Sequence, residues 1–218
     1  MKRTIEAIIF DLDGVIVSTD EYHYKAWKRL ADEEGIFFDR NINHRLRGVS
    51  RMACMEIILE KASKTYTAEE KEVMAERKNR YYIESLKELD EQAMLPGVKE
   101  TLPLLKEEGY RIAIASSSKN AGLILEKLGL SQTFHSVIDG NHITRSKPDP
   151  EVFLKAAEAL EAEPRNCIVV EDSTAGIDAA ICGGMIAVGI GGARGYEKTQ
   201  IGITSFEQIA GVCRALGE

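Results

Sequence analysis

The first apolar run of the chain, Ala7-Ile8-Ile9-Phe10, breaks into Asp11-Leu12-Asp13-Gly14. An unbroken, branched apolar run of this kind is expected of a strand buried on both faces of a parallel sheet. After Gly14 the period changes. Over 22–34, His23, Trp27 and Leu30 recur at helical spacing with Ala26 and Ala31 beside them, and Gly35 stands where a helix would stop. A polar connection over 39–47 leads to a second helix carrying Met55, Ile58, Leu59 and Ala62. Thr67-Ala68-Glu69-Glu70 reads as a capping box and opens a third helix running to about Leu89, with Met74, Tyr82, Leu86 and Leu89 as its apolar stripe. From 18 to 90 the pattern predicts helices and no strand.

From Pro96 onward, helices alternate with strands. Helices are expected over 98–108, 120–128, 150–160, 175–182 and 205–216, and strands over 111–115, 137–139, 167–170 and 186–190. That rhythm predicts an α/β fold, a Rossmann-like parallel sheet covered by helices on both faces. The α/β core spans 1–17 and 91–218, and the α-helical domain 18–90 is inserted after its first strand.

Composition narrows the function classes. The formal charge is −7 and no Lys/Arg run offsets it, which argues against a nucleic-acid surface. The apolar run near the amino terminus is too short for a signal peptide or a membrane span, so a cytoplasmic protein is expected. Cys54, Cys167, Cys182 and Cys213 are scattered and read as small core residues in a reducing compartment.

In an open parallel sheet, ligands bind along the edge formed by the carboxyl ends of the strands. Polar groups follow each strand here. Asp11 and Asp13, two apart on an extended chain, point the same way, and Gly14 permits a tight turn. Ser116-Ser117-Ser118-Lys119-Asn120 follows the strand over 111–115, Glu171-Asp172-Ser173 follows that over 167–170, and Lys147 lies before the helix over 150–160. Each has a plainer account alone. The serines and Glu171-Asp172-Ser173 could open helices, and Lys147 could be a solvated loop lysine. Four carboxylates meeting at one edge would repel unless a cation sat among them, and hard oxygen donors suit Mg²⁺.

In their order along the chain, Asp11-x-Asp13-Gly14, Ser116, Lys147 and Glu171-Asp172 resemble the four motifs of the haloacid dehalogenase-like phosphotransferases. The resemblance covers essentially the whole chain, and the helical insertion sits where that family's mobile cap belongs. Ser18-Thr19 departs from the Asp-Ser of many relatives. The resemblance implies that Asp11 is the nucleophile and Asp13 the general acid/base. It also implies Mg²⁺ held by Asp11, the backbone carbonyl of Asp13 and Asp172 with help from Glu171, and Ser116 and Lys147 on the transferring phosphoryl oxygens.

Within the family, the stretch 21–27, Gly48-Val49-Ser50-Arg51, Arg77-Lys78-Asn79 and the 116–120 loop resemble the β-phosphoglucomutase branch. This implies a substrate site of Gly14, His23, Trp27, Gly48, Arg51, Lys78, Ser116, Ser117, Ser118, Lys119, Asn120 and Lys147. Arg51 would take the non-transferring phosphate, and His23 with Lys78 would gate Asp13 as the cap closes. On helical faces alone, His23 and Lys78 interrupt apolar stripes, so Lys78 either snorkels to water or faces polar contents. The implied activity is interconversion of β-D-glucose 1-phosphate and glucose 6-phosphate, through an aspartyl-phosphate and a bisphosphate, by a monomer acting on a small sugar phosphate. A Mg²⁺-dependent sugar-phosphate or phosphoglycolate-type phosphatase is the alternative. Asp11 and Asp13 weigh against a third reading, a non-catalytic phosphate-binding protein.

Overall fold

Strand β1 (Ala7–Phe10) is buried along its whole length and pairs on both sides, in parallel, with strands from much later in the chain. The computed structural model describes residues 4–46 and 49–217. These fall into two units, Met1–Ser18 with Asp90–Glu218, and Thr19–Leu89.

The first unit is built on a six-stranded parallel sheet in the order β3-β2-β1-β4-β5-β6. The strands are β1, β2 (Arg111–Ala115), β3 (Ser136–Ile138), β4 (Cys167–Glu171), β5 (Ile186–Gly189) and β6 (Ile201–Gly202). Phe10 lies level with Ile114 and Val170, and the Asp11 N–H continues the ladder to the Val170 carbonyl at 3.0 Å. The carboxyl ends of β2, β1 and β4 therefore form one edge. Small residues on the strands admit large ones from a helix: Ala7, Ala113 and Ala115 share a core with Val152 and Phe153. Phe10 stacks on Phe206 at 5.3 Å.

This is the expected Rossmann-like sheet, with two differences. Strand β6 was not anticipated, because two residues carry no readable period. Strand β3 starts one residue early, at Ser136, and Asp139 leaves the ladder for a turn with Asn141 and His142. Helices α5 (Val98–Glu107), α6 (Ala121–Lys127), α7 (Glu151–Ala159), α8 (Thr174–Cys182) and α9 (Gln208–Gly217) belong to this unit.

The second unit holds α1 (Asp20–Glu33), α2 (Arg40–His44), α3 (Arg51–Leu59) and α4 (Ala68–Ser85), with no strand among the described residues. Its core includes Trp27, Leu30, Met55, Ile58 and Met74. The capping box is formed: the Thr67 N–H donates to the Glu70 carboxylate at 2.7 Å, and the Glu70 N–H to the Thr67 hydroxyl at 3.2 Å. The expected polar connection over 39–47 contains α2. Asp39 starts it by accepting the Ile42 N–H at 2.8 Å, but five residues are too few to show an apolar stripe. The third helix ends its α-helical part at Ser85 and tightens into a 3₁₀ turn at Leu86–Glu88. Cys54, Cys167 and Cys213 are buried free thiols, whereas Cys182, the last residue of α8, is exposed and not a core residue. Among the described residues no helix is long and apolar enough to cross a membrane.

Candidate active site

Just past β1, at the carboxyl edge of the sheet, Asp11 is buried and paired with Lys147. An ammonium has three protons to place. Lys147 donates to Asp11 Oδ1 at 2.5 Å, to Glu171 Oε2 at 2.8 Å and to the Ala115 carbonyl at 3.3 Å. Its side chain is 2% exposed, which overturns the solvated-loop alternative. It ties together the ends of β1, β2 and β4.

Glu171 uses its other oxygen locally. Oε1 accepts the N–H groups of Asp172 (3.1 Å) and Ser173 (3.0 Å) and the Ser173 hydroxyl (2.9 Å). The Ser173 hydroxyl in turn accepts the Gly176 N–H at 3.1 Å. Of Glu171-Asp172-Ser173, only Ser173 caps α8.

Two glycines make room for the carboxylates. Gly14 turns the chain at φ +80°, and a Cβ there would lie 2.1 Å from Asp172 Oδ2. A Cβ at Gly176 would lie 1.9 Å from Glu171 Oε2. Gly176 was not among the expected site residues. Its signal was a glycine inside a helix, which costs about 1 kcal/mol against alanine and has no turn to justify it.

Asp11, Glu171 and Asp172 each offer an oxygen within 4.8 Å of the others. Burial, reinforced by Glu171 and Asp13 and opposed by Lys147, raises the Asp11 carboxyl to about 7. Burial, with Glu171, Asp11 and Asp13, raises Asp172 to about 8. Burial pulls the Lys147 ammonium down, but Asp11 and Glu171 outweigh it and hold it above the ordinary lysine range. One lysine does not neutralise four carboxylates. Oxygen-only donors, an excess of negative charge and the space kept by two glycines fit a divalent cation.

The serine loop shapes itself. Ser116 is buried, and its N–H reaches the Ile138 carbonyl at 2.9 Å. The Ser116 hydroxyl accepts the Ser118 N–H (3.1 Å), and the Ser118 hydroxyl accepts the Asn120 N–H (3.2 Å). These bonds stop short of α6, so the serines build the loop and do not cap the helix. The Ser117 hydroxyl is buried with no hydrogen-bond partner among the described residues. Asn141 donates to the Lys119 carbonyl at 3.1 Å, joining this loop to the turn after β3.

In the helical unit Lys78 is 3% exposed and does not snorkel. Its ammonium donates to His23 Nδ1 at 2.8 Å and lies 4.6 Å from the Trp27 ring centre and 4.8 Å from that of Tyr82. Aromatic faces and a neutral imidazole stabilise a buried cation. Tyr82, read from the sequence as apolar stripe, also stacks on His23 and donates to the Thr19 hydroxyl at 3.0 Å. Arg51 is half-buried at the start of α3, where its guanidinium donates to Asn79 Oδ1 at 2.9 Å. Gly48 lies outside the described residues.

Burial, then the charges of Lys78 and Arg51, hold His23 well below the usual histidine range. The unfolded chain therefore takes up a proton below about pH 6.5 that the folded chain refuses. Stability from this residue is complete above that pH and is lost as pH falls, at up to about 1.4 kcal/mol per unit. We expect the His23 ring resonances to stay flat from pH 8 to 5.5, and the denaturation midpoint to fall over that range less steeply in His23→Gln. An ordinary titration near pH 6.5 would refute the placement of His23 against Lys78.

The family model for haloacid dehalogenase-like hydrolases matches residues 5–184. The chain is 44% identical to a β-phosphoglucomutase from Bacillus subtilis over 189 residues, 86% of this chain and 84% of that protein. It is 32% identical to a phosphorylated carbohydrates phosphatase from Thermotoga maritima over 83% of this chain and 82% of that protein. The crystal structure of a β-phosphoglucomutase from Clostridium difficile, 39% identical, superposes with a TM-score of 0.91 over 98% of this chain and 97% of that one. The family match runs from β1 through α8, and so takes in Asp11, Lys147, Glu171 and Asp172; this chain belongs to the haloacid dehalogenase-like hydrolase family.

Proposed function

We propose that the chain is a phosphomutase interconverting β-D-glucose 1-phosphate and D-glucose 6-phosphate. The observation that carries this reading is the likeness to β-phosphoglucomutases over nearly the full length, helical unit included. Phospho-Asp11 gives its phosphoryl group to a sugar hydroxyl: the P–O bond to Asp11 breaks, one to the sugar forms, and the hydroxyl proton passes to Asp13. The bisphosphate then turns over, its other phosphoryl group moves to Asp11, and Asp13 returns the proton to the leaving oxygen. Ser116 and Lys147 hold the oxygens of the group in flight. Arg51 holds the phosphate that stays on the sugar, for which a planar guanidinium is well shaped. Asp11, Asp172, the Asp13 carbonyl and Glu171 would hold Mg²⁺, which neutralises phosphoryl charge in chemistry that rests on positioning and electrostatics.

The test is a coupled assay for glucose 6-phosphate from β-D-glucose 1-phosphate, with and without bisphosphate primer and with Mg²⁺ present or chelated, run beside a phosphate-release assay. A phosphatase is the second reading, favoured by the Thermotoga maritima relative. It predicts phosphate release without glucose 6-phosphate.

Arg51→Ala separates the two. Losing a charge-assisted contact costs roughly 1.5–3 kcal/mol, or about ten- to more than a hundredfold. We expect mutase kcat/KM to fall by that factor and hydrolysis of acetyl phosphate, which has no distal phosphate, to change by less than about threefold. Equal losses would make Arg51 structural, and no loss in either would favour the phosphatase.

A further inference from the structure

Lys147 reaches Asp11 from the far end of a loop that starts at the carboxyl end of β3 and runs to α7. Within the loop, the Asn141 N–H donates to Asp139 at 2.8 Å, and Arg145 pairs with Asp149 at 3.0 Å. The first residue of α7, Glu151, turns its carboxylate back on the segment just before Lys147. Its Oε2 accepts the Arg145 N–H at 2.8 Å, the Thr144 hydroxyl at 2.9 Å and the Thr144 N–H at 3.1 Å. Its Oε1 lies 3.1 Å from the Thr144 N–H and 3.1 Å from the Lys155 ammonium. One turn along α7, Lys155 also donates to the His142 carbonyl at 2.5 Å. The first face of α7 thus clamps the loop backbone at 142, 144 and 145, two residues short of Lys147. The Glu151 side chain is 11% exposed, and the Thr144 and Arg145 residues it holds lie at the surface.

We propose that Glu151 is a positioning residue for phosphoryl transfer, fixing the 144–147 segment so that the Lys147 ammonium stands on Asp11 and Glu171. This rests on the phosphoryl-holding role of Lys147 in the function proposed above. Hydrogen bonds, from the Thr144 N–H first of all, hold the Glu151 carboxyl down at about 2, so the clamp stays ionised throughout the assay range. Oε2 takes the Arg145 N–H and both Thr144 donors, so an amide oxygen in that place keeps the bonds nearest Lys147 and gives up only the Lys155 pair at Oε1.

The experiment uses Glu151→Ala, Glu151→Gln, Lys147→Met and the double variant Lys147→Met/Glu151→Ala. Each is assayed for the mutase reaction and for acetyl phosphate hydrolysis, with folding checked by circular dichroism. Misplacing a reacting group by about 1 Å costs up to about a hundredfold. We expect Glu151→Ala to lower kcat in both reactions by about ten- to a hundredfold with the KM for β-D-glucose 1-phosphate little changed, and Glu151→Gln to stay within about threefold of wild type. Because Glu151 acts through Lys147, the double variant should be no slower than Lys147→Met alone. Full kcat in Glu151→Ala beside an impaired Lys147→Met would overturn the proposal, as would losses that add in the double variant or a Glu151→Gln enzyme as slow as Glu151→Ala. Wild-type kcat in Lys147→Met would instead overturn the assignment of Lys147, and the inference with it. Acetyl phosphate hydrolysis keeps the test independent of whether the sugar reaction is a mutase.

Discussion

Asp11→Asn is expected to retain less than about a thousandth of wild-type turnover while folding normally. An amide is a very poor nucleophile and a weaker cation ligand than a carboxylate, so both uses proposed for Asp11 fail together. The fold should tolerate the change. Lys147 keeps Glu171 at 2.8 Å and the Ala115 carbonyl at 3.3 Å, and the amide oxygen still accepts a hydrogen bond from it. The melting midpoint should therefore move little. Labelled acetyl phosphate should leave alkali-labile phosphate on the wild-type protein and none on the variant. Turnover above a few per cent, with deamidation excluded by mass spectrometry, would remove Asp11 from the nucleophile role.

Lys147→Met is expected to destabilise the protein as well as slow it. Lys147 and Glu171 are 2% and 1% exposed, and Asp11 is 10% exposed, so solvent screens these pairs little. Removing one partner of a buried pair costs about 3–5 kcal/mol because the other charges stay buried and uncompensated. For a chain of this length that lowers the melting midpoint by about 6–20 °C. Turnover should fall by about 10²–10³, the usual loss for one donor at a developing charge. Mg²⁺ should restore part of the lost stability, since a cation bound among the carboxylates does some of the work of the ammonium. An unchanged midpoint would mean that Lys147 does not neutralise the cluster. A large loss that Mg²⁺ leaves untouched would mean that the carboxylates are not a cation site.

How far this site could be read from sequence depended on how each residue is held. Asp11 and Asp13 were legible because β1 is a continuous apolar run and its end marks the ligand edge. Lys147 was legible only through the order of motifs, since nothing about a lysine before a proline announces a buried ammonium. Glu151 reads as an ordinary acidic residue in the first turn of a helix, because its partners are backbone N–H groups contributed by a loop. The polar role of Tyr82 was hidden by its place in an apolar stripe. Helix α2 and strand β6 are shorter than the periods that would reveal them, and Cys182 sits at the helix end where core and surface spacing no longer differ.

The sheet order has a consequence for how this protein is made. Strand β1 leaves the ribosome well before its partners, which begin at Arg111 and Cys167, more than a hundred residues later. At ordinary elongation rates that is a wait of roughly 5–20 seconds for β2 alone. The apolar cluster of Trp27, Leu30, Met55, Ile58 and Met74 lies within Thr19–Leu89 and becomes available during the wait. The strand that carries the candidate nucleophile is meanwhile a bare edge on both sides, open to wrong pairing until β4 is synthesised. Any chaperone that attends this chain during synthesis has its clearest substrate in Ala7-Ile8-Ile9-Phe10.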